Sequence, residues 1–278
     1  FEQTHPIRRD FLIEIHALTE GNAFFIEEIV RSLVASGDVF RTGGYWNRKS
    51  LSDLRIPRSV RHAVIHRSSQ LSQDALDVLR VASVAGQRFS FTLLLEVIGL
   101  TEAKLLDALR ELTILHLVLE ESAERFAFRH ALTREAVYRD LLLRERQGMH
   151  LQLGEALETL HPDAASRPVF DLAYHFHAAE AWDQTLRYAP LAGYRAMELY
   201  APRAAISHFN RALDATRGLN TPPDPDLLRA RGQAYGMLGE FDLAQRDHQA
   251  GLGQAVARGD RRAEWQALFD QGSLWLGY

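Results

Sequence analysis

The chain has 278 residues, 46% of them hydrophobic and 24% charged, with a formal net charge of −4. That balance gives no electrostatic reason to hold nucleic acid or a membrane surface. The absence of cysteine excludes disulfides and thiolate metal sites, and no apolar run approaches the roughly 20 residues that span a bilayer.

The length suits two domains or one elongated repeat array. Phe1 falls inside a helix-forming segment, so the chain is read as a fragment of something longer. Residues 7–36 read as two amphipathic helices split by TEGN. Ile26, Ile29, Val30 and Leu33 recur at helical spacing, with Glu27, Glu28 and Arg31 on the other face. Gly21 ends the first helix and Asn22 can cap the second. FRTGGYWNRKS then sets Gly43 and Gly44 between aromatic-flanked arms, a hairpin signal. Pro57 stands at a natural helix start.

Residues 58–146 form the next unit. Helical patterns cover SVRHAVIHRSSQL, SQDALDVLRVASVAG, FTLLLEVIGL and TEAKLLDALREL. Two strand-like runs, HLVLEE and RFAFRH, follow, and a last helix is predicted from Ala131 to about Arg144. Several short helices and then a hairpin is the texture of a winged-helix domain.

From about residue 147 the pattern is helical throughout. Gly154, Gly193, Gly232 and Gly272 recur at intervals of 39, 39 and 40. In RGQAYGMLGEFDLAQ, the residues Gly232, Tyr235, Gly239, Phe241 and Ala244 keep the spacing of a tetratricopeptide repeat. The preceding copy supplies Ala205, Phe209 and Ala212. Glycine inside a helix costs about 1 kcal/mol, so recurrent helical glycines point to close packing. TPPDPD, residues 221–226, reads as a loop. Trp265, Leu268, Gly272 and Trp275 share one last helix, and the chain is expected to self-associate there or to hold that end loosely.

Catalytic signatures are missing. No GxxxxGK[ST] phosphate loop, GxSxG elbow or HExxH helix occurs. His62 and His66 lie one turn apart, but a solvated helix face is the plainer reading, with no acidic third ligand nearby. His175 and His177 point to nearly opposite sides of their helix and cannot chelate together. No catalytic and no metal-binding residue is expected. TEAKLLDALREL carries Lys104 and Arg110 against Glu102, Asp107 and Glu111, and the wing EESAER is acidic, so DNA binding is not expected.

TEGNAFFIEEIVRSLVASG resembles the helical-lid segment of STAND-type signalling ATPases, relatives of the AAA+ group. RIPRSVRHAVIHRSSQLSQDALDVLRVASVAGQRFSF and FAFRHALTREAVY resemble the winged helix that follows that lid. The helical remainder resembles the tetratricopeptide sensor of large LuxR-type regulators and cyclase- or kinase-linked ATPases. The resemblance implies a mostly α fold: a lid segment over 1–56, a winged helix with a short β-hairpin over 57–146, and a tetratricopeptide-like α-solenoid over 147–278. It also implies a nucleotide contact. A histidine at this strand-to-helix junction holds the β-phosphate of ADP in the family, and His130 matches it, although the aspartate that follows in animal and plant relatives is Ala131 here. Gly21, Asn22 and Ala23 match the lid motif, with Ala23 in place of the usual proline beside the adenine.

The reading is the regulatory and sensor portion of a nucleotide-switched, cytoplasmic signalling ATPase, of the kind found in transcriptional regulators. It would work with an N-terminal ATPase core and an inducer, protein or small molecule, on the repeats. The chain alone is expected to hydrolyse nothing and to hold no ADP or ATP. Its rivals are a tetratricopeptide scaffold for protein partners without nucleotide, and a winged-helix DNA-binding regulator.

Overall fold

The computed structural model describes residues 67–276 continuously, with side chains as far as Gly272, together with the backbone of 39–42 and 45–48 and separate residues between 13 and 64. The chain divides into two units, Phe1–Arg146 and Gln147–Tyr278.

In the first unit, Ile13, Ile15, His16, Thr19, Ala23, Ile26, Glu27 and Val30 are helical, and Gly21 makes a turn at φ +79°. Asn22, Ile29, Leu33 and Pro57 lie outside the described residues, as do His62 and His66. The hairpin forms: β1 (Val39–Thr42) pairs antiparallel with β2 (Tyr45–Arg48), Thr42 opposite Tyr45.

The next elements are α1 (Gln73–Ala85), β3 (Arg88–Ser90), α2 (Phe91–Ile98), α3 (Glu102–Ile114), β4 (Val118–Glu120) and β5 (Arg125–Phe128). Ser72 opens α1 by accepting the Ala75 N–H at 3.3 Å, and Thr101 opens α3 by accepting that of Lys104 at 3.4 Å. Both strand pairings are antiparallel in the order β3-β5-β4, with Phe89 opposite Phe126 and Leu119 opposite Ala127. Helix, strand, two helices and a hairpin make the winged helix. Strand β3 is not anticipated by the sequence, because three residues are too few to show a period of two.

Glu124 closes the wing. Its carboxylate accepts the Thr92 N–H at 3.0 Å and the hydroxyls of Ser90 and Thr92, at the N-terminus of α2. Burial pushes its pKa up, but these hydrogen bonds outweigh that and leave it below the ordinary glutamate value.

Helix α4 (Ala131–Asp140) is shorter than expected. The predicted run to about Arg144 is corrected at Leu141, which is buried in extended conformation at φ −68° and ψ 139°. A new helix, α5 (Leu143–Leu160), begins where Glu145 accepts the Leu142 N–H at 2.7 Å.

The second unit continues with α6 (Val169–Ala178), α7 (Trp182–Glu198), α8 (Pro202–Gly218), α9 (Pro225–Met237), α10 (Phe241–Arg258) and α11 (Arg261–Leu276). Three of the four recurrent glycines have the packing reason their spacing implied, whereas a Cβ on Gly272 would meet no atom within 4 Å. A Cβ on Gly154 would lie 2.7 Å from the Phe176 ring, on Gly193 2.3 Å from Phe209, and on Gly232 2.8 Å from His248. Each glycine lets the next helix lay a ring against its backbone. The turns repeat as well, with left-handed residues at Glu180, Tyr200, Asn220, Gly239 and Gly259. In the TPPDPD loop the helix starts earlier than predicted, at Pro225 with Asp224 as its cap. The carbonyls of Pro222 and Pro223 accept from Arg258 at 3.0 Å.

Inside this unit Arg231 grips the buried Asp247 with two bonds, at 2.7 and 2.6 Å, and donates to Asn210 at 2.5 Å. Three helices are joined by one guanidinium. The planar fork of arginine satisfies both carboxylate oxygens, which an unpaired buried charge could not tolerate.

Candidate functional site

The region around His130 is set by β5, the central strand. Phe126 stacks on Phe89 at 6.2 Å, and Phe128 meets the same ring edge-on at 5.8 Å. The Phe128 N–H donates to the Gln87 carbonyl at 2.9 Å, and the Gln87 side chain donates back to the Phe128 carbonyl at 2.8 Å. Arg129 N–H donates to the Leu117 carbonyl at 3.0 Å. The strand end is thereby pinned on both sides.

His130 follows, half-buried and extended at φ −141° and ψ 136°, as the N-cap residue of α4. Its carbonyl accepts from Thr133 at 3.0 Å and Arg134 at 3.3 Å, but its side chain makes no cap hydrogen bond. The expected junction is there; side-chain capping is not its use. Helix α4 is held along its length. Leu132, Ala136 and Val137 are buried, and the Arg134 Nε donates to the Ser83 carbonyl of α1 at 2.9 Å. Tyr138 carries the guanidinium of Arg134 at 5.5 Å and that of Arg146 at 5.2 Å.

The first turn of α4 contains no acid, and Arg129 precedes it. The N–H groups of Ala131 and Leu132, ahead of those that donate to the His130 carbonyl, lie at the positive end of the helix dipole, where the helix supplies no acceptors. An imidazole beside them can add one more donor. This donor set suits an anion such as phosphate.

The lid residues are less informative. Gly21 and Ala23 are exposed, and Asn22 lies outside the described residues. A Cβ on Gly21 would meet His16 Nε2 at 3.8 Å. The described residues also contain no group of three or more histidines and acids able to hold a metal ion, and no helix long and apolar enough to cross a membrane.

The repeats hold four buried histidines that sequence reading did not single out as a set. His150 and His175 share a hydrogen bond between their Nδ1 atoms at 2.8 Å, while His177 turns away to Asp214 at 3.1 Å. His208 Nδ1 lies 3.0 Å from Arg211, and since arginine only donates, this nitrogen accepts. Burial first, and the Arg211 charge second, pull the His208 pKa down to about 4. Burial likewise lowers that of His248, with Arg229 adding to the effect and Asp270 and Asp247 opposing it. His248 stands 39 residues after Phe209, as Gly232 stands after Gly193, so the period alone could have revealed it as the ring of its repeat.

No protein-family model matches the chain, and no curated protein sequence matches it. Among solved structures the chain is similar to a signal transduction ATPase with numerous domains and a tetratricopeptide repeat sensor, from Pyrococcus horikoshii. Identity is 11% and the TM-score 0.30, a likeness too slight to carry an argument. The match covers 99% of this chain and 55% of that one, so the chain spans about half that protein's length.

Proposed function

We propose that this chain is the regulatory and sensor portion of a nucleotide-switched signalling ATPase. The observation that carries the proposal is the setting of His130. It stands at the N-terminus of α4, directly after the central strand, and the first turn of that helix holds no acid. In this reading the phosphate-binding core is elsewhere in the parent protein. His130 and the first N–H groups of α4 face the β-phosphate of ADP when docked on that core. When bound, ADP supplies the anion that holds the resting state. The repeat array receives an inducer, and nucleotide exchange then shifts the balance toward an assembly-competent arrangement. Gly21, Asn22 and Ala23 would form the lid side of the pocket. An output in transcription and a cytoplasmic location belong to the same proposal.

The test is ADP release from the parent protein. His130→Ala removes one donor to a charged acceptor, which costs roughly 1.5–3 kcal/mol. ADP release should quicken by about one to two powers of ten. Unchanged release, with a lowered melting temperature, would return His130 to a structural role.

A further inference from the structure

Arg211 of α8 is half-buried, and what holds it sets it apart from the partly buried arginines around it. Arg231 grips Asp247 with two bonds, and Arg229 reaches Asp226 at 3.3 Å and Asp270 at 3.6 Å. Arg167 donates to the carbonyls of His161 and Pro162 at 3.1 Å. Arg211 has only one hydrogen bond among the described residues, from Nη1 to the Nδ1 of His208 at 3.0 Å. Its guanidinium lies over the ring of Tyr174 on α6, 5.6 Å from the centroid. An aromatic face attracts the cation but cannot take its remaining N–H donors.

The acids of these two helices do not neutralise it. Asp214 pairs with His177 at 3.1 Å and with Arg217. Burial raises the pKa of Asp171, and no cation offsets that rise. The repeat does not demand an arginine here either. One period of 39 residues later, the positions of His208 and Arg211 carry Asp247 and Ala250. Beside the guanidinium, Tyr174 is 36% exposed, and Phe170, whose ring lies 5.3 Å from His208, is 37% exposed. One uncompensated cation thus stands between two open rings.

We propose that Arg211, Tyr174 and Phe170 form a binding site for a carboxylate carried on an apolar group. The planar fork takes both carboxylate oxygens, and the rings take the apolar part. A carboxylate carries the single charge that one guanidinium offsets, whereas a phosphate dianion would leave a charge unpaired beside the rings. Such a site would serve the receiving role given to the repeats, and it depends on neither His130 nor nucleotide.

The test is an NMR titration of the full chain at pH 7 with phenylacetate, following the ring protons of Phe170 and Tyr174. A saturable shift with a dissociation constant on the order of 1 mM is expected, and phenylacetamide, which lacks the charge, should bind at least about tenfold more weakly. Arg211→Gln should weaken phenylacetate by a similar factor. Arg195→Gln should not, because Arg195 already pairs with Glu198 at 2.7 Å. A capped peptide with one glutamate among leucines forms a second arm: tighter binding than phenylacetate places the carboxylate on a protein partner, and weaker binding on a free acid. Equal binding of acid and amide, inorganic phosphate binding as well as phenylacetate, retention in Arg211→Gln, or no binding of either probe would overturn the proposal. Since the chain is titrated without nucleotide, any of these results leaves the His130 test of ADP release standing.

Discussion

His130 and His208 are both helix-associated histidines, yet their surroundings assign them opposite tasks. His130 sits half-buried at a positive helix end with no acid in the first turn, which favours an approaching anion. A lost cap, worth about 1 kcal/mol, is not the expected result of His130→Ala, since no side-chain cap bond exists to lose. His208 sits in the packed interior, between Phe170 of α6, whose ring lies at 5.3 Å, and Arg211 on its own helix. Its folded pKa of about 4 lies below the unfolded value of 6.5. As pH falls the unfolded chain therefore takes the proton first. The stability that neutral His208 provides is complete above pH 6.5 and is lost as pH drops toward 4. The shift corresponds to a loss on the order of 3 kcal/mol. Urea unfolding at pH 7 and pH 4.5 should show this slope, and His208→Leu should flatten it. A residual slope of the same sign should remain from His248, whose pKa is also lowered. An unchanged slope in the variant would show that His208 does not set the acid response.

Among the elements, the glycine series separates two effects that usually travel together. Gly193→Ala gains helix propensity, about 1 kcal/mol. It also drives a methyl group to 2.3 Å from a fully buried Phe209, and overpacking of that kind costs about 1–3 kcal/mol. Thermal unfolding should show net destabilisation. At Gly272, where a Cβ meets nothing within 4 Å, the same change should stabilise by up to about 1 kcal/mol. Equal effects at the two positions would deny the ring-on-glycine contact its role. Helix α3 carries a prediction of a different kind. Its Arg110 pairs with Asp107 at 2.6 Å, its Lys104 lies 3.8 Å from Asp74, and Arg88 beside the wing pairs with Glu121 at 2.8 Å. Phosphates would have to displace these carboxylates, so duplex DNA should bind weakly or not at all. Tight mobility shifts that weaken steeply with salt and vanish in a Lys104→Ala, Arg110→Ala double variant would contradict this.

For the whole molecule, the proposed division of labour predicts that this chain alone responds little to nucleotide. Millimolar ADP should leave its melting temperature unchanged, because a ligand stabilises only to the extent that it binds the folded state. A clear upward shift would mean that the pocket is complete without a separate core. The sequence by itself determined the element types: strands at FRT/YWN and at VLE/RFAF, helices elsewhere, and a glycine period near 39 that belongs to a repeat array. It also marked His130 as a residue at a strand-to-helix junction. Those features are local or periodic, and side-chain spacing along one strand or helix is enough to reveal them. Tertiary structure alone decided the rest. Strand β3 exists because β5 offers it an edge, α4 stops at Leu141 because that side chain turns inward, and Glu124 reaches 32 residues back to cap α2. The rings over Gly154, Gly193 and Gly232, and the Arg231–Asp247 pair, join residues 16 to 22 positions apart on different helices. Contacts across helices depend on how faces meet in space, and a linear pattern records the faces but not their meeting.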